Sequence, residues 1–372
     1  MSHQISRCTL NVLALTFSLL LLAGCASAPP DNKHVFVPPV YPPPPDTPRF
    51  VYERTLLYSD DIEEYTRAQR FKQFATGASR KLKGMVKPFD VAAYKGRVYV
   101  TDTVQRSVLL YDIPGKRFVE IGTDKPGELT KPLGIDVSVN EELFVSDVSA
   151  QRIMVYNLDG VFQRSFGGKK YLTKPSDVTV SPDGQRAYVV DTGGVENNDH
   201  RVQVFNASSG EHLQTIGKRG GAEGEFNLPL QATVGNDGTL YVVDAGNFRV
   251  QAFDSDGNFI SSFGKVGRYP GQFARPKGIA VDSENNLYII DTAFGNFQIF
   301  NPQGQLLMFI GERGQAGIPG KYMLPAGIDV DQDGRIYVVD QFFRKIDIYK
   351  PVGLQNFLFE ANTSKEKEER DH

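Results

Sequence analysis

Leu240-Tyr241-Val242-Val243-Asp244, with Arg249-Val250-Gln251-Ala252-Phe253 following it, is one copy of a pattern that runs through most of this chain. An aromatic and a branched residue lead into an aspartate six times. The aspartates are Asp102, Asp147, Asp191, Asp244, Asp291 and Asp340, spaced 45, 44, 53, 47 and 49 residues apart. A near-constant period of this size marks a repeat architecture, in which each unit covers its faces with its neighbours. Alternating apolar residues put Leu240–Asp244 and Arg249–Phe253 on adjacent strands.

Around these two strands each unit supplies two more. The first follows a proline, as in Pro132-Leu133-Gly134-Ile135-Asp136-Val137 and Pro276-Lys277-Gly278-Ile279-Ala280-Val281. Ser181-Pro182-Asp183-Gly184 and Gly235-Asn236-Asp237-Gly238 are hairpin signals that join it to the aspartate strand. A second glycine-bearing turn, Asp254-Ser255-Asp256-Gly257, leads to the fourth strand, Phe259 to Phe263. Four antiparallel strands in each of six units predict an all-β fold, a six-bladed β-propeller spanning residues 50–360. The 36 glycines and 22 prolines suit its many turns.

The consensus Pro-x-Gly-Ile-x-Val, Tyr-Val-x-Asp and Arg-Ile/Val-x-x-Phe resembles the NHL repeat family over residues 86–350. Departures exist, among them Asn296 for the arginine in the fifth unit and Gln231 for the glycine in the fourth. With no Trp in the chain, the WD-repeat alternative fails. Recurrence in every unit assigns the six aspartates to the scaffold, together with Arg106, Arg152, Arg201, Arg249 and Arg344. Pairs such as Asp147 with Arg152 are expected to bridge the ends of one loop.

A ring needs closing. The sixth unit lacks a fourth strand, and Phe50–Leu57 at the other end of the chain is the expected partner, removing an exposed sheet edge. Phe357–Phe359 is the competing segment. Residues 60–76 read as one helix before the first blade. Asp60 and Glu63 are expected to form its capping box, Ile62, Tyr65, Ala68 and Phe71 its apolar stripe, and Gly77 its stop.

The N-terminus carries an address. Arg7 precedes an apolar run from Leu10 to Leu22, and Leu22-Ala23-Gly24-Cys25 resembles the lipobox of bacterial lipoproteins. That resemblance implies a signal peptide over residues 1–24, acylation of Cys25, and a protein bound to the membrane by lipid. With Ala26 next, it implies the outer membrane, facing the periplasm. Residues 25–49 form a linker rich in proline, an extended spacer. The charged tail, 361–372, is expected to be disordered.

Up-and-down strand order places the inter-blade connections and the loops after each motif aspartate on one side. The six connections carry +11 and the other loops −2, in a chain whose total is −3. Lys87, Lys131, Lys174 and Arg275 share one register before the proline and are expected to ring the channel mouth. Such polarity steers anionic partners. The expected role is non-catalytic binding of an acidic protein segment or an anionic envelope polymer, with no cofactor, no metal and no nucleic acid. The alternative is a metal-dependent lyase or lactonase with Asp90, Asp177 and Gln231 in the channel. The EF-hand-like spacing from Asp329 to Asp340 falls across a hairpin, and the few histidines are scattered, so neither calcium nor zinc is expected.

Overall fold

A strand that is apolar on both faces needs a sheet on each side of it, and the aspartate strands are of this kind. Leu143, Phe144 and Val145 are all fully buried, as are Val98, Tyr99 and Val100. The computed structural model describes residues 36–63, 67–76, 82–194 and 196–356. In it six antiparallel blades form a propeller: blades 1 to 5 are four-stranded sheets in sequence order, and blade 6 is completed by strands from the N-terminal side of the chain. Blade 1 comprises Pro88–Tyr94, Arg97–Asp102, Ser107–Asp112 and Arg117–Ile121. Blades 2 to 5 begin at Pro132, Pro175, Pro229 and Pro276. The first strand of every blade touches the first strands of both neighbours, and the sixth touches the first, so these innermost strands enclose the axis.

Closure follows the expectation. Phe50–Leu56 pairs antiparallel with Lys345–Pro351, beside Ile336–Asp340 and Pro325–Val330. Two polar contacts fix it. Thr55 donates to Asp347 at 2.6 Å, and Glu53 pairs with Arg335 at 3.0 Å, both side chains nearly buried. Every sheet is completed within residues 40–351.

The structure redraws some boundaries. Val40–Tyr41 adds a fifth strand to blade 6, pairing with Val51 and Phe50. The Arg49 N–H donates to the Tyr41 carbonyl, and the Tyr41 ring meets Tyr349 edge-on at 5.5 Å. Residues 39–49 therefore belong to the propeller unit, and the linker reading is left with residues 25–38. The segment before blade 1 holds a 3₁₀ turn, Ser59–Asp61, and a helix α1, Arg67–Thr76, in place of one helix. Asp61, not Asp60, accepts the Leu57 and Tyr58 N–H groups, while Glu63 accepts from Phe118. Ile62 is buried, but Ala68 and Phe71 face solvent, so the stripe does not pack as expected. Arg7, Leu22–Cys25, Tyr65, Phe357–Phe359 and the tail 361–372 lie outside the described residues.

Candidate functional site

Each motif aspartate ends the second strand of its blade with no exposure to solvent. A buried carboxylate needs several donors, and here the backbone provides them. Asp102 Oδ2 accepts from the N–H groups of Val86 and Lys87 (2.6 and 2.9 Å), while Oδ1 accepts from Val104 and Gln105 (3.0 and 2.9 Å). Asp291 does the same for Ala274 and Arg275 on one oxygen and Ala293 and Phe294 on the other. Asp340 repeats the arrangement with Met323, Leu324, Phe342 and Phe343. One carboxylate thus ties the connection entering its blade to the loop leaving its own strand.

The consequence for the loop side is a fixed register. The residue before the proline gives its N–H to the aspartate in five blades, as Leu324 in blade 6 and as Lys87, Lys131, Lys174 and Arg275 in the other four. The carbonyls of the latter four accept from Thr103, Val148, Thr192 and Thr292 at 3.0–3.1 Å. Their backbones are clamped on both sides. The four side chains are exposed, and none forms an ion pair among the described residues. Leu228 and Leu324 hold the corresponding positions in blades 4 and 6. Around the ring the order is Lys, Lys, Lys, Leu, Arg, Leu.

The arginines of the motif divide into two groups. Arg249 and Arg201 reach the aspartates of their own blades, Asp244 at 2.9 Å and Asp191 at 3.3 Å. Arg152 stands opposite Asp147 in the strand pairing. Arg106 and Arg344 do not occupy that register, because Asp102 pairs with Ser107 and Asp340 with Lys345. Each lies one residue earlier, in the left-handed turn conformation at φ +58° and +54°, as Gln151 and Phe248 do in their blades. The equivalent side chain in blade 6, Lys345, is buried and pairs with Asp347 at 2.7 Å.

Beneath the rim the innermost strands present an unpaired edge to the axis, and its N–H groups need acceptors. Carboxylates of the preceding blade serve. Asp90 accepts from Ile135 of blade 2 at 3.3 Å and Asp177 from Ala232 of blade 4 at 2.8 Å. One layer further, Asp136 accepts from Val180 of blade 3, and Asp329 from Ala93 of blade 1, both at 2.7 Å. Burial pushes these acids up: Asp136 to about 6, Asp90 to about 7, Asp329 to about 8, and Asp177 well above its ordinary value. The neighbouring Asp90 charge adds to the rise at Asp177.

Adjacent innermost strands pack closely. A methyl group on Gly134 would come within 2.0 Å of Asp177 Oδ1, and one on Gly327 within 2.4 Å of Asp90 Oδ1. On Gly278 it would meet the Ala326 carbonyl at 2.7 Å and Gln231 Oε1 at 3.0 Å. Each of the three long residues at this position, Asp90, Asp177 and Gln231, therefore lies against the glycine of an adjacent blade. Gln231, from the blade opposite Asp90, reaches far enough across to stabilise the Asp90 charge. Its Oε1 is buried without a hydrogen-bond partner. Lys277 lies over the Phe89 ring at 4.1 Å, and burial lowers its ammonium to about 8 despite Asp90; the cations at Arg275 and Lys87 lower it further.

The structure thus brings together Asp90, Asp177 and Gln231, and sets Lys87 and Arg275 near Lys277. It separates the calcium-like aspartates: Asp329 caps Ala93, Asp331 its own hairpin, and Asp340 the loop side. Among the described residues no three His, Cys, Asp or Glu side chains are grouped to hold a metal ion. His200, read as a loop residue, is wholly buried, its Nε2 donating to Gly194 and its Nδ1 accepting from Leu228. Lys277 was missed as a channel residue; its place between Pro276 and Gly278, on an innermost strand, was the available signal.

Geometry of this kind defines a class, the six-bladed β-propeller, and the chain is one. The domain family DUF5128, described as a 6-bladed beta-propeller, matches residues 230–298. Protein brain tumor of Drosophila melanogaster is 27% identical over 158 residues, 41% of this chain and 14% of that protein. The human E3 ubiquitin-protein ligase NHLRC1 is 31% identical over 90 residues, 24% of this chain and 21% of that protein. The chain therefore spans a small part of these relatives. Among solved structures, a streptogramin B lyase superposes with a TM-score of 0.53 at 14% identity, covering 72% of this chain and 94% of that one. At that identity the likeness is one of fold.

Proposed function

We propose that this propeller is a non-catalytic binding platform that takes an anionic partner on its loop-rich basic side. It is held by lipid on Cys25 at the periplasmic face of the bacterial outer membrane. The partner is an acidic protein segment or an anionic envelope polymer. The observation that carries the reading is the rim: four exposed cations, in no ion pair among the described residues, on backbone clamped at both N–H and C=O. Pre-set charge of this kind gives orientation as well as attraction. The axis beneath it favours binding over catalysis, since Asp90 and Asp177 are engaged in capping backbone N–H groups.

Reversing charge at Lys87, Lys131, Lys174 and Arg275 together is expected to abolish capture of envelope components by the acylated protein, with the fold retained. Capture by the wild type should weaken as salt is raised. Undiminished capture by a folded quadruple variant overturns the reading. A second reading, a lyase or lactonase in the channel, draws on the convergence of Asp90, Asp177 and Gln231 with its unpartnered Oε1. Elemental analysis finding a stoichiometric metal in the purified protein would favour it.

A further inference from the structure

Helix α1 has a composition and an exposure that the rim does not explain. The chain on either side of it is held to blade 1. Ile62 and Met85 are buried, Tyr58 bridges to Gly84, and Lys83 pairs with Glu120 at 2.8 Å. Between these moorings the described side chains of the helix are all exposed. Phe71 is 71% exposed and Phe74 88%, the latter the most exposed large apolar side chain of the described residues. Three residues apart on a helix, they share one face.

The helix and the segment after it are cationic, following the acidic stretch Asp60, Asp61, Glu63 and Glu64. Residues 65–86 contain Arg67, Arg70, Lys72, Arg80, Lys81 and Lys83, and no Asp or Glu. Two aromatic rings projecting from a segment with that charge match a surface that is anionic outside and apolar a few ångströms deeper. A phospholipid leaflet containing anionic headgroups has that layering. An acidic protein would satisfy the cations but would need an apolar groove for the rings.

We propose that α1 is an interfacial helix, inserting Phe71 and Phe74 into an anionic phospholipid surface to which the positive charge of residues 65–86 draws it. The inference takes its setting from the lipid-anchored reading above. Only thirteen residues lie between Cys25 and Pro39, where the propeller unit begins, a reach of about 50 Å fully extended. A bilayer is therefore within range, and one acyl anchor with a basic amphipathic patch is a combination that gives stable attachment.

The lack of tryptophan provides the assay. Phe74→Trp places a single indole on the helix, and Val139→Trp, on an exposed turn of the opposite side, is the control. Both are made in a chain of residues 26–372, which contains every strand of the closed ring and no acyl group. On phosphatidylcholine vesicles containing phosphatidylglycerol, the Phe74→Trp emission should shift to the blue, and the Val139→Trp emission should not. Adding Phe71→Ser should weaken vesicle binding about tenfold, and Phe71→Leu should largely restore it. Phosphatidylcholine alone should give no shift. An unshifted indole on the anionic vesicles, or an equal shift on both kinds, overturns the proposal. So does a shift produced only by an envelope protein fraction. The rim reading fails separately: charge reversal at Lys131, Lys174 and Arg275 leaves α1 unchanged, and the Phe71→Ser variant keeps the rim.

Discussion

Replacing a motif aspartate by asparagine changes one oxygen into an NH₂ group and little else, so the cost depends on how the four backbone donors are shared between the oxygens. At Asp291 the sharing is two and two: Ala274 and Arg275 on Oδ2 at 2.7 and 3.0 Å, Ala293 and Phe294 on Oδ1 at 2.9 and 3.2 Å. Whichever way the amide of Asp291→Asn turns, two buried N–H groups face another donor. At about 1–3 kcal/mol for each unsatisfied group, the expected loss is about 2–6 kcal/mol. At Asp147 the sharing is three and one, with Lys131, Ser149 and Ala150 on Oδ1 and only Thr130 on Oδ2. Asp147→Asn can keep its carbonyl on the first three and leave Thr130 alone, for a loss of about 1–3 kcal/mol. Urea denaturation of both variants, followed by circular dichroism, compares them directly. Asp291→Asn should also weaken partner capture without changing rim charge, because it frees the backbone of Arg275. Equal losses for the two variants, or less than about 1 kcal/mol for Asp291→Asn, would refute the donor-sharing argument.

Two further outcomes are expected. Gly134→Ala places a methyl 2.0 Å from Asp177 Oδ1 and 2.5 Å from its Cα, and should cost about 1–3 kcal/mol or more as adjacent innermost strands separate; Gly221→Ala, whose methyl meets nothing nearer than 3.9 Å, should be neutral, and denaturation midpoints check both. Asp329 is raised to about 8 by burial, so the folded state binds a proton that the unfolded state has released; the stability this gives is complete below about pH 4 and is lost as pH rises to about 8. Asp329→Asn, which keeps an acceptor for Ala93, should therefore gain stability relative to wild type at pH 8 but not at pH 4. A pH series of thermal melts showing parallel curves would count against it.

Much of the fold was readable because its signals are local. The strands, their hairpins and the closing role of Phe50–Leu56 follow from alternation, glycine turns and the missing fourth strand of blade 6. Register at a loop end was less accessible. Arg106 and Arg344 look like Arg152 and Arg249 in sequence, yet the length of the turn after Asp102 and Asp340 puts Ser107 and Lys345 in the pairing instead. Helix α1 misled for a related reason. An apolar stripe predicts burial only if something lies against it, and the described residues of α1 meet solvent. Residues 39–49 read as a proline-rich spacer, although Tyr41 finds a place on Tyr349 and against the edge of blade 6.

Taken alone, the sequence determined the number of blades, the strands that compose them and the residue that anchors each loop, since all of these repeat within one unit of about 45 residues. Only the closed ring decided what the departures from the repeat are for. Asp90, Asp177 and Gln231 break the glycine pattern in one blade and fit over glycines in another, and the carboxylates cap N–H groups of a neighbouring strand. Those contacts join different blades around an axis, 45 residues apart for Asp90 and Ile135 and 55 for Asp177 and Ala232, so no single repeat unit contains both partners.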